Sequence, residues 1–197
     1  MMKSTHLLVC LALLAGCGST PKERYYTLSF AAPQEAATPA TITVAIAAVA
    51  VPEAVDRNAM VIRTGPNQVD IDDFNRWAEP LKAAIPRALA GNLARELGNA
   101  RVTSGRQAEV AADYRVAVDV RRFESSLGEG ATIEANWTVT GKSGAPVAGT
   151  TLAREPASSP DHAGIAAAHS RALERLAREI AAVISRGPST PRPRAPA

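Results

Sequence analysis

The sequence predicts a two-layer α/β domain: a mixed, mostly antiparallel sheet of about six or seven strands, with two main helices packed on one face. Three observations predict it. Tyr114, Val116, Val118 and Val120 alternate with Arg115, Ala117, Asp119 and Arg121, the period of a strand with one face on a core and one in water. Leu81, Ile85, Leu89, Leu93 and Leu97 recur at a spacing of four, with Ala84 and Ala88 beside them, which draws one apolar stripe along a helix. A second stripe runs through Ile165, Ala168, Ala172, Leu173, Leu176, Ile180 and Val183.

Taken in order, Tyr25-Tyr26-Thr27-Leu28-Ser29-Phe30 is aromatic and β-branched and reads as a strand. Ala31 to Ala40 carries two prolines and reads as a loop. Thr41 to Val51 alternates through Ile42, Val44 and Ile46, then changes phase to Val49 and Val51. One extra residue near Ala47-Ala48, a β-bulge, would reverse the inward face in this way. Met60 to Arg63 and Val69 to Ile71 flank Gly65-Pro66-Asn67 and form a hairpin. Asp72-Asp73 then supplies capping residues for the first helix, with a kink or break expected at Pro86 and an end at Gly98-Asn99. Arg101 to Thr103 is a short strand. Ile133, Ala135, Trp137 and Val139 alternate as the Tyr114 run does, and Gly141-Lys142-Ser143-Gly144 turns into Val147 to Ala153, so these strands form a meander. Ser159 caps the second helix, which ends around Arg186.

The 197-residue chain is 46% hydrophobic and 21% charged, which suits one packed core. Its formal charge of +3 is carried in part by Lys3, Arg186, Arg192 and Arg194 at the ends, so the body lacks the basic face of a nucleic-acid binder. Lys3 precedes the apolar run Leu7 to Leu14, which is a secretory signal and too short for a membrane-spanning helix. Residues 1–16 are read as the signal peptide, 17–24 as a tether, 25–186 as the domain and 187–197 as a disordered proline and arginine tail.

Leu14-Ala15-Gly16-Cys17 resembles a bacterial lipobox. That resemblance implies diacylglyceryl transfer to the Cys17 sulfur, cleavage before it and acylation of the new amino terminus. Several acyl chains hold a protein far more firmly than one, at about 0.8 kcal/mol per buried CH₂. Gly18, where inner-membrane lipoproteins commonly carry aspartate, implies the outer membrane, periplasmic face. With Cys10 in the signal and Cys17 acylated, no disulfide is expected.

The ordered set of Cys17, Tyr25-Tyr26-Thr27-Leu28, Pro52, Asp56-Arg57, Ile62-Arg63 and Arg76-Trp77-Ala78-Glu79-Pro80-Leu81 is similar to the PqiC-like family of ABC-type transport auxiliary lipoproteins. Val55, Ala59-Met60 and Pro86 depart from its usual pattern. The resemblance implies a non-catalytic lipoprotein beside an ABC transporter whose periplasmic MCE-domain protein moves lipids or other hydrophobic compounds between the membranes. It implies envelope integrity as the trait served, and a homo-oligomeric ring matched to the ring of the MCE partner. The matched residues Asp56, Arg57, Arg63, Arg76, Trp77 and Glu79 are the candidate partner surface, though Trp77 at the head of an amphipathic helix reads first as core packing against the sheet, and the arginines read first as solvated surface charge, with pairing to Asp56, Asp73 or Glu79 or a partner-facing role the other readings. A stand-alone lipoprotein that binds a lipid or hydrophobic ligand is the rival reading.

Catalytic chemistry finds little support. His162 and His169 share a helix seven residues apart, but without a third ligand they read as surface histidines. No nucleophile elbow, His-Glu-x-x-His or phosphate-cradling glycine loop occurs. No catalytic residue, metal or cofactor is expected.

Overall fold

The computed structural model describes residues 21–30, 42–98, 100–105, 112–142 and 144–187. The lipobox, the Ala31 to Ala40 loop and residues 188–197 lie outside them. Two helices, α1 (Leu81–Leu97) and α2 (His162–Arg186), pack on a mixed sheet of eight strands: β1 (Arg24–Tyr26), β2 (Ile42–Ala50), β3 (Ala59–Gly65), β4 (Gln68–Trp77), β5 (Ala100–Ser104), β6 (Tyr114–Ser126), β7 (Gly130–Gly141) and β8 (Val147–Pro156). The meander β6–β7–β8 and the hairpin β3–β4 are antiparallel, and the two meander ladders are the longest. β1 joins β4 in parallel, and β2 joins β5 and β6 in parallel.

The residues explain the placement. The register of β2 on β6 shifts between Ile46 and Ala48, so the predicted bulge sits where the alternation changes phase. The hydroxyl of Thr43 donates to Asp113 Oδ2 at 2.8 Å, and Lys142 Nζ donates to Oδ1 at 2.6 Å. Lys142 and then Thr43 hold the Asp113 carboxyl well below its ordinary value, and together they tie the start of β2 to the junctions before β6 and after β7. Leu81, Ile85, Leu89 and Leu93 of α1 and Ile165, Leu173, Leu176 and Ile180 of α2 are fully buried, each worth about 1.5–3 kcal/mol relative to exposure.

Four expectations are corrected. Asp72-Asp73 starts no helix. β4 runs on to Trp77, while Asp72 Oδ1 accepts from the backbone N–H of Phe74 (2.9 Å) and Asn75 (3.0 Å). The carboxylate does what an N-cap does, but over a bulge, where the register jumps between Ala59 and Met60. α1 starts after Pro80 with no side-chain cap and runs unbroken through Pro86 to Gly98, whose φ of 65° is a helix-ending conformation glycine adopts freely. For α2 the cap is Asp161, accepting from Gly164 N–H at 3.0 Å; Ser159 donates its hydroxyl to that carboxylate. Finally, the first strand stops at Tyr26, and 27–30 lie across the helices as a strap. Leu28 is buried and its carbonyl accepts from Arg87 at 3.1 Å; the Ser29 N–H donates to Ser170 Oγ at 3.1 Å; the Phe30 ring fills the place of a side chain at Gly91.

A forked sheet edge as the candidate functional site

β2 and β3 lie along one and the same edge of β6. β2 pairs with it as far as Ala50 opposite Asp119, and β3 rejoins it only at Ile62 opposite Ser125. Between these points the chain leaves the edge: Val51 ends the apolar run, Pro52 offers no N–H to a ladder, and 52–57 coil into a turn closed by Val55 and Asp56 N–H donating to the Pro52 carbonyl, both at 3.1 Å. The departure leaves a notch of about 350 Å³.

Its floor follows from strand period. Met60 and Ile62 point into the core at 0% and 4% exposure, so Val61 and Arg63 point to the opposite face. Ile71 stands opposite Val61, and Val69 opposite Arg63, so the four side chains share that face. Val69 is 58% and Ile71 44% exposed. The far wall is β6, where the register against β7 shifts between Val120 and Arg122. Arg121 is the extra residue of this bulge; beyond it Phe123 and Ser125 turn inward and Arg122 and Glu124 outward. Four arginines, 57, 63, 121 and 122, and one carboxylate, Glu124, line the notch. Glu124 takes Arg63 at 3.1 Å and Arg122 at 2.9 Å, and Arg63 also donates to the Pro66 carbonyl at 2.8 Å.

Of the sequence-derived candidates, the structure brings Arg57 and Arg63 to this notch. Asp56 turns away from it to pair with Lys82 at the head of α1. Arg76 lies 3.4 Å from Glu23, and Glu79 takes Arg87, the residue that holds the strap. Arg63 and Arg76 do pair, but with Glu124 of β6 and with Glu23 before β1 instead of the acids weighed in the sequence. Trp77 is 3% exposed and meets the rings of Phe123 and His169 edge-on, both at 5.9 Å. Cys17 lies outside the described residues.

The histidines differ from the surface reading. His162 sits 3.1 Å from Asp72 Oδ2, beside the Tyr26 ring. His169 is fully buried, stacked on Phe123 at 3.8 Å and sharing a 2.8 Å hydrogen bond with Ser125 Oγ. Its Nδ1 has no partner, and burial pushes its pKa down to about 3. Among the described residues no cluster of His, Cys, Asp or Glu is able to hold a metal ion, and no helix is long and apolar enough to cross a membrane.

Sequence reasoning missed Arg121 and Arg122 as notch residues. The signal was present: alternation through Val120 resumes out of phase at Phe123, as a bulge requires.

The two helices packed on the mixed eight-stranded sheet define a two-layer domain of α/β class. Residues 26–181 match the profile of the ABC-type transport auxiliary lipoprotein component family, and the chain belongs to that family. The fold is similar to that of an uncharacterized protein of known crystal structure (TM-score 0.70, 21% identity, 83% of this chain and 99% of that one). It is also similar to XCC0632 of Xanthomonas campestris, of the DUF330 family (TM-score 0.63, 25% identity, 80% and 92%). No curated protein matches.

Proposed function

We propose that the chain is the outer-membrane, lipid-anchored and non-catalytic component of an MCE-type ABC transport system that moves lipids or hydrophobic compounds across the periplasm. The family match over residues 26–181 carries this reading, and the lipobox at Cys17 supports it. Seven Cα-to-Cα steps, across the six residues Gly18 to Glu23, link Cys17 to Arg24, where β1 begins. At 3.3–3.6 Å per residue they reach about 25 Å, so an acylated Cys17 keeps the β1 edge of the sheet close to the bilayer. Radiolabelled palmitate marks the protein in this reading, and Cys17→Ser abolishes both labelling and sedimentation with outer membranes. A Cys17→Ser chain that stays membrane-bound overturns the anchor. Pull-down of the acylated chain from envelope extracts recovers an MCE-domain protein; its failure to do so overturns the transport assignment. Light scattering of the chain with that partner reads the ring, and monomers at high concentration count against it.

A further inference from the structure

We propose that the notch where the chain leaves the β6 edge binds a single-chain anionic amphiphile, with the acyl chain on the Val61, Val69 and Ile71 floor and a carboxylate or phosphate head on the arginine rim. This inference goes beyond the transport reading and does not need it. Val69 and Ile71, a β-branched pair on one face of β4, stand 58% and 44% exposed and join Val61 in an apolar floor open to a ligand. The volume of about 350 Å³ lies at the lower end of ligand pockets, which suits one chain rather than two.

Charge completes the match. Four guanidinium groups against one lining carboxylate leave the rim positive, and a planar guanidinium binds carboxylate and phosphate oxygens in pairs. Glu124 takes Arg63 and Arg122, Glu134 also stands 3.6 Å from Arg122, and Asp119 meets Arg121, so the four guanidinium groups face three carboxylates and keep one positive charge in excess. Arg57 is exposed and pairs with no carboxylate among the described residues. Among the described residues Arg121 meets Asp119, at 3.3 Å with both side chains in water, a contact that a ligand displaces at little cost. An acyl chain makes no demand on backbone hydrogen bonds. A peptide strand would have to pair along the β6 edge itself, whereas the arginine rim is built to take the oxygens of a single carboxylate or phosphate head beside an apolar floor, so the observations favour the amphiphile.

Photocrosslinking tests it, using the full chain in nanodiscs and three probes that carry a diazirine on the acyl chain: palmitate, lysophosphatidylglycerol and hexadecanol. Palmitate or the lysophospholipid labels residues 59–72, the one that labels more identifying the free acid or the membrane lipid as source. The neutral alcohol labels them about tenfold less. Val69→Asp/Ile71→Asp and Arg57→Glu/Arg121→Glu each lower labelling about tenfold with an unchanged melting temperature, since all four side chains are exposed. Label outside the notch, equal labelling by the alcohol, indifference to both double variants, or a co-purified peptide crosslinked in the notch overturns the proposal. Palmitate incorporation at Cys17 is read separately and stands or falls on its own.

Discussion

Trp77, Phe123 and His169 form a ring cluster that joins the end of β4, the second half of β6 and the first third of α2. Trp77→Ala removes the ring at its centre and leaves a cavity, a loss of about 3–5 kcal/mol readable by urea denaturation. His169 adds a pH dependence. Its folded value of about 3 lies below the ordinary 6.5, so the unfolded chain takes the proton first. Stability is whole above about pH 6.5 and drains as the pH falls toward 3, at up to about 1.4 kcal/mol per unit. His169→Gln keeps a hydrogen-bond partner for Ser125 but cannot be protonated, so it is less stable at pH 7 yet flatter between pH 7 and 5, above the range where carboxylates titrate. Equal slopes for the two proteins would show that the ring does not carry the effect. This residue was illegible in the sequence: a histidine seven positions from another on a helix carries no sign of the aromatic neighbours that β4 and β6 bring to it.

At the scale of elements, what was legible was periodic. The meander, both helical stripes and the bulge in β2 followed from alternation and spacing, because burial on one face writes itself into every second or every third and fourth residue. What was not legible was local chemistry with two meanings. Asp72-Asp73 carries the signal of a helix start, but its acceptor serves a bulge because Trp77 must reach the core as part of a strand. Tyr25 to Phe30 has strand composition, yet β4 offers β1 only a three-residue pairing before the chain climbs onto the helices. The fork at β6 rests on two strands sharing one edge, a long-range fact that no local pattern encodes. The strap itself is open to test. Gly91→Ala places a methyl group where the Phe30 ring lies, 2.0 Å from its nearest atom, so Phe30 must leave. The strap around Leu28 and Ser29 then exchanges its amide hydrogens faster and is cut sooner by protease, while α1 keeps its protection. Loss of protection across α1 as well would mean that Gly91 serves helix packing instead.

For the whole molecule, the proposed anchor and the strap act in series. Glu79 fixes Arg87, Arg87 and Ser170 fix the strap, the strap continues from β1, and β1 lies on β4, so force on an acylated Cys17 is delivered to both layers of the core. With at most about 25 Å of tether, the proposed anchor would keep the body within that distance of the bilayer, which bears on how it would meet the proposed MCE-domain partner. A twenty-residue Gly/Ser insertion after Ser19 adds up to about 70 Å of contour and leaves acylation, sorting and fold unchanged. If height is what the tether sets, cells carrying the insertion lose envelope resistance to detergent nearly as far as cells lacking the protein. If the partner alone positions the body, the insertion costs nothing, since the contact with the partner then holds without help from the effective concentration the short tether supplies. Detergent sensitivity, measured beside palmitate labelling of the same cells, separates the two outcomes.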